Sequence, residues 1–129
     1  KAVVEGRCAQ KRPGAGPHRS ERCRCVALLI AGLGGIYAEA LRDVAIWPVS
    51  VREAIERRLA RTGLGRILDS PRWAYGGTSG AVMDLLLNLQ RAALALSDRL
   101  EAIDINPVML GPNGAIAVDA LVVPRGAPK

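Results

Sequence analysis

The sequence predicts an α/β domain, equally describable as α+β, on three observations. Val26–Ile30 is a compact apolar run that ends in Gly32-Leu33-Gly34-Gly35. Two later stretches, starting at Ser50 and near Thr78, repeat apolar residues at helical spacing. Two strand-like runs, Ala102–Leu110 and Ala115–Val123, are joined by Gly111-Pro112-Asn113-Gly114, a strong hairpin signal. Helices between strands, closed by an antiparallel pair, imply a mixed or antiparallel sheet with two main helices and a C-terminal hairpin.

Residues 1–25 are rich in Arg, Pro, Gly and Cys, show no helical or alternating period, and read as an irregular basic tail. The regular patterns occupy residues 26–123, and 124–129 read as a disordered end. Val26–Ile30 is most simply a buried strand leaving into a Gly-rich turn. Ile36–Val49 is ambiguous: Tyr37–Arg42 holds helix formers, whereas Val44–Val49 reads as a strand. Ser50-Val51-Arg52-Glu53 fits a capping box, which predicts a helix of about 12 residues with Ile55 and Leu59 on its inner face and Gly63 as its stop. Leu64–Gly77 reads as a loop. A second helix starts at Thr78 or Ser79, ends near Ser97, and places Val82, Leu85, Leu86, Leu89, Ala93 and Leu96 toward a core.

Composition narrows the function. The 129 residues fit one domain, and half of them are hydrophobic, enough for a packed core. The net charge of +6 is concentrated: seven Lys/Arg against two Glu in residues 1–25 leave +5 there and +1 elsewhere. A basic face across the folded part is therefore not expected. Phe is absent and only two Trp and two Tyr occur, against an RNA binder built on aromatic stacking. No apolar run reaches the length of a membrane span, so no membrane role is expected. Cys8, Cys23 and Cys25 all lie in the tail, which gives no disulfide framework and suits the cytoplasm. With His18 they could form a zinc site, but Cys-x-Cys is a poor match to the usual ligand spacer. Gly32-Leu33-Gly34-Gly35 invites a dinucleotide-binding reading, which fails because Tyr37 stands where the third glycine of G-x-G-x-x-G belongs.

The hairpin carries the chemistry. With its turn centred between Pro112 and Asn113, Leu110 faces Ala115, Val108 faces Ala117, and Asn106 faces Asp119. If Asn113-Gly114 is instead a two-residue turn, Asp119 moves opposite Val108. Either register leaves Asp104, Asn106 and Asp119 on one face of a regular hairpin, with Asn106 and Asp119 roughly 5 to 8 Å apart at Cβ. Two carboxylates and a carboxamide without sulfur or imidazole form the hard oxygen set that Mg²⁺ prefers beside substrate phosphates. The plainer reading makes them ordinary polar residues of a solvated face.

Gly32–Ala45 (GLGGIYAEALRDVA) resembles a block of the ATP-grasp domain of ADP-forming acyl-CoA synthetases, the acetate–CoA ligase family. Glu101-Ala102-Ile103-Asp104-Ile105-Asn106-Pro107-Val108, followed by Ala117–Val122, resembles that family's closing hairpin. The likeness covers roughly residues 27–123. It implies the second subdomain of an ATP-grasp fold and a share in a ligase converting acid, CoA and ATP to acyl-CoA, ADP and phosphate through a phosphohistidine. By the matched motif, Asn106 and Asp119 would hold Mg²⁺ against ATP or ADP, with Asp104 as a charge-setting carboxylate. Gly34, Gly35 and Glu39 would lie near the nucleotide. CoA and the carboxylic acid would be bound only by the full-length enzyme.

Departures from the family qualify this. The first subdomain, with its nucleotide-gripping Lys, and the phosphate-carrying His have no counterpart here. His18 lies in the unmatched tail, and Lys1, Lys11 and Lys129 fall in no matched motif. The chain is expected to be a fragment, inactive alone, that self-associates or needs a companion subunit. Residues 1–25 are expected to be frameshifted or foreign sequence, because the likeness begins abruptly near Val26. The alternative function is a noncatalytic interaction module or remnant with a basic arm, with no specific nucleic-acid partner.

Overall fold

The computed structural model describes residues 6–7, 27–34, 44–73 and 78–126. In chain order the elements are β1 (Gly6–Arg7), β2 (Leu28–Gly32), β3 (Val44–Pro48), α1 (Arg52–Leu59), α2 (Gly63–Leu68), α3 (Thr78–Ala95), β4 (Leu100–Ile105), β5 (Val108–Gly111), β6 (Gly114–Ala117) and β7 (Ala120–Pro124). All strand pairs are antiparallel and form three small sheets, ordered β1-β4-β7, β2-β3 and β5-β6. The α/β expectation with a mainly antiparallel sheet and a closing hairpin is met. No described helix is long and apolar enough to cross a membrane.

The apolar run ending in the glycine turn is β2. Leu29 and Ala31 point into the core, and Leu29 pairs with Trp47 of β3, itself 1% exposed. From the segment read as an irregular tail, Gly6–Arg7 forms β1 against Ile105 and Asp104 of β4. The Tyr37–Arg42 ambiguity, the tail cysteines and His18 lie outside the described residues.

The first helix differs from expectation in a way its hydrogen bonds explain. Ser50 does not cap it: Val51 occupies the N-cap position with no side-chain cap bond. The backbone of Ser50 is held instead by Gln90 of α3. The Gln90 Oε1 accepts from the Ser50 N–H at 2.8 Å, and its Nε2 donates to the Ser50 carbonyl at 2.7 Å. A side-chain amide that satisfies both groups fixes residue 50 outside the helix. Replacing Gln90 by Ala should cost about 1–2 kcal/mol by stranding both groups, read as a lower urea midpoint at unchanged m-value.

Gly63 is not a stop, either. The chain turns at Ala60–Thr62 and starts α2 at Gly63, so the predicted loop after Leu64 begins as a helix. Buried Thr62 organises the corner: its Oγ1 donates to the Leu59 carbonyl at 2.6 Å and accepts from the Gly65 N–H at 3.0 Å. α3 follows its predicted stripe, with Val82, Leu86, Leu89 and Ala93 buried and Leu85 half-buried. Leu96 is the exception. The helix ends at Ala95, and the following turn carries Leu96 into solvent at 39% exposure. Arg125, just past β7, ties down that end. Its backbone N–H donates to the Arg99 carbonyl at 2.7 Å, and its guanidinium donates to the carbonyls of Ser97 and Leu100.

Candidate site at the hairpin corner

The closing hairpin is built in two halves. Val108↔Ala117, Leu110↔Ala115 and Gly111↔Gly114 set the register of β5-β6, and Asp104↔Leu121 and Ile105↔Ala120 continue it in β4-β7. This is the register with the turn centred between Pro112 and Asn113. Gly114 makes that turn possible, because its φ of 109° lies in a region other residues rarely adopt. Between the halves, the Asn106 N–H donates to the Asp119 carbonyl at 3.2 Å, and the Val118 N–H donates to the Pro107 carbonyl at 2.9 Å. Asn106 therefore faces Asp119.

The hairpin is not one continuous face. Before the break the inward side chain is Ile103, at an odd position, whereas after it Val108 and Leu110, at even positions, enter the core. A strand keeps one parity inward, so the switch marks a corner at Asn106-Pro107 opposite Val118-Asp119. Asn106 and Asp119 sit exposed at this corner, and Asp104, half-buried, lies two residues before it. The Asp119 Oδ1 accepts from the N–H of Ala120 at 2.8 Å. Gly34 is buried just past the end of β2, while Gly35 and Glu39 lie outside the described residues.

The donor chemistry of the corner fits a hard cation. Asn106 and Asp119 supply oxygen on paired backbone, with a third oxygen-bearing side chain, Asp104, on the incoming strand. Among the described residues, no group of three or more His, Cys, Asp or Glu could hold a metal. A cation held by Asn106 and Asp119 would have one carboxylate ligand and leave positions for water or phosphate oxygen, the usual habit of Mg²⁺.

Two clefts lie away from the corner. One of about 310 Å³ runs between α1, α2 and the start of α3, and Arg52, Glu56, Gly65, Asp69, Ser79 and Met83 are among its lining residues. Arg52 donates to Asp84 at 2.8 Å and lies 3.6 Å from Glu56. The hydrogen bond to Asp84, opposed by desolvation and aided by both acidic charges, raises the Arg52 pKa still further above the physiological range, where a guanidinium is charged in any case. The second cleft, about 540 Å³, lies between β3 and α1 and includes Arg57, Arg58 and Arg61 in its lining. The sequence reading assigns these arginines no role. Their signal was three arginines within five positions, which reads equally as a solvated helix end.

The ATP-grasp domain family model matches residues 26–123. The beta subunit of the ADP-forming acetate–CoA ligase II of Pyrococcus furiosus is 30% identical over 102 residues, covering 76% of this chain and 43% of the relative. The ADP-forming acetate–CoA ligase II of Archaeoglobus fulgidus is 35% identical over 94 residues, covering 71% of this chain and 13% of the relative. Among solved structures, acetyl-coenzyme A synthetase 1 of Ca. Korarchaeum cryptofilum, in complex with coenzyme A and Mg-AMPPCP, superposes with a TM-score of 0.73 at 19% identity. The match covers 96% of this chain and 53% of that one. This chain thus spans less than half the length of the relatives it matches in sequence.

Proposed function

This chain belongs to the ATP-grasp family, in the region homologous to ADP-forming acyl-CoA synthetases, and from that premise we propose that it is the C-terminal, nucleotide-holding portion of the ATP-grasp domain of such a cytoplasmic ligase. The observation that carries the reading is the corner of the closing hairpin, where the backbone holds Asn106 against Asp119. In this reading Asn106 and Asp119 hold Mg²⁺, with Asp104 adding negative charge nearby. A cation held there would supply positive charge against phosphate oxygens. The chain's own contribution is positional: the two cross-strand backbone bonds hold residue 106 opposite residue 119.

Completion by another polypeptide segment is part of the proposal. Ile116 of β6, Val118 between the strands, and Leu121 and Val122 of β7 are each more than half exposed and flank Asp119 in sequence. Large aliphatic side chains in such a run are suited to being covered by a partner surface. The companion is the portion that the relatives carry beyond this match, and CoA and carboxylic acid bind only in the completed enzyme. Calorimetric titration with Mg-ADP tests this on the polypeptide completed by that portion. Binding that requires both the added portion and Mg²⁺ is expected; a completed, folded protein that ignores Mg-ADP would sink the reading.

A further inference from the structure

The trough between β3 and α1 is separate from the hairpin corner. Val44, Ala45 and Ile46 line it consecutively, so it follows the edge of β3, where residues of both faces of the strand are reached. Among the described residues β3 pairs only with β2. On that strand Val44 is 42% and Ile46 56% exposed. Across the trough stand Arg57, Arg58 and Arg61, and no Asp or Glu is among its described lining residues. None of these three arginines forms an ion pair with a described residue. Arg57 and Arg58 complement the C-terminal dipole of α1, but Arg61 lies beyond the helix end, and the dipole gives no reason for exposed Val44 and Ile46.

We propose that this trough docks an extended acidic segment of a partner protein, which adds as a strand along the edge of β3 away from β2, its aliphatic side chains on Val44 and Ile46 and its carboxylates toward Arg57, Arg58 and Arg61. Strand addition draws on main-chain hydrogen bonds along an open edge, and alternate side chains select the partner. Charge complementarity names the acidic character, since three guanidinium groups line the trough with no described carboxylate between them. A nucleic acid fits less well, because the floor is aliphatic and offers no aromatic ring for base stacking. A second copy of this chain fits less well too. The described strand that carries two acids, β4, already has both edges paired, to β1 and β7.

The test uses the full 129-residue chain and a fluorescein-labelled peptide of about eight residues alternating Glu and Val. Anisotropy is expected to show saturable binding that weakens about tenfold or more in R57Q/R58Q/R61Q, in which the basic tail is untouched and the exchanged side chains are exposed. Amide exchange is expected to slow at Val44–Ile46 when the peptide is added. Three outcomes would each overturn the proposal: equal binding by the triple variant, equal binding of polyglutamate without aliphatic residues, or no protection at β3. Tighter, arginine-dependent binding of a DNA oligonucleotide would replace the acidic peptide with a nucleic acid. A concentration-dependent dimer abolished by Ile46→Lys would replace it with a second copy. None of these measurements requires nucleotide, so their failure is separable from failure of the ligase reading.

Discussion

Replacing Gly65 by Ala is expected to destabilise the protein by about 3 kcal/mol or more, lowering its melting temperature by about 10 °C. A Cβ built at this position would overlap the Leu59 carbonyl oxygen and lie 2.8 Å from the Ala60 Cα. Both are backbone atoms, so no rotamer change relieves the clash. α2 would have to move away from the end of α1, and that movement would break the Thr62 hydroxyl bridge between the Leu59 carbonyl and the Gly65 N–H. The same exchange at Gly80 should have the opposite sign. Nothing lies within 4 Å of a Cβ there, the residue is exposed, and it sits inside α3. Alanine is favoured over glycine in such a helix by up to about 1 kcal/mol. Thermal melts of the two variants separate a steric requirement from general glycine flexibility, and a Gly65→Ala protein as stable as wild type would mean the corner is looser than drawn.

That corner marks the limit of what the sequence discloses. Thr62-Gly63 looks like a helix stop because glycine commonly ends helices, whereas here Thr62 begins the next helix through its hydroxyl. Ser50 carries the right residues for a capping box, but Gln90, forty positions later, claims its backbone. No local pattern reveals a competitor that arrives from another helix. The hairpin register was legible because Gly111-Pro112-Asn113-Gly114 confines the turn to two alternatives, and the alternative with Asn106 opposite Asp119 is the one adopted. The change of inward parity at Asn106-Pro107 was not legible, since periodicity assumes an uninterrupted strand. A hairpin face that seemed shared by Asp104, Asn106 and Asp119 is consequently a corner. The trough arginines escaped for a different reason: that they share a cleft with Val44, Ala45 and Ile46 of β3 is a property of the tertiary arrangement.

Asp119→Ala is expected to lower the affinity of the completed protein for Mg-nucleotide by about tenfold to 100-fold while leaving the fold intact. The Asp119 side chain makes one described bond, Oδ1 to the N–H of Ala120, at an exposed position. Its backbone carbonyl, which alanine keeps, accepts from Asn106 and holds the corner together. Stability should therefore change by no more than about 1 kcal/mol. Asp119→Asn distinguishes charge from hydrogen bonding, because a carboxamide oxygen can still accept from Ala120 but brings no negative charge to a cation. If Asp119 acts through charge, the Asn variant binds Mg-ADP nearly as poorly as the Ala variant while matching wild-type stability. Asn106→Ala supplies the complementary comparison: it preserves the backbone bond to Asp119 and removes the neutral oxygen, so a smaller loss is expected. Asp84→Asn, which breaks only the exposed pair with Arg52, should leave nucleotide binding unchanged. Wild-type Mg-ADP affinity in folded Asp119→Asn would remove the carboxylate from the site and, with it, the role assigned to the hairpin corner.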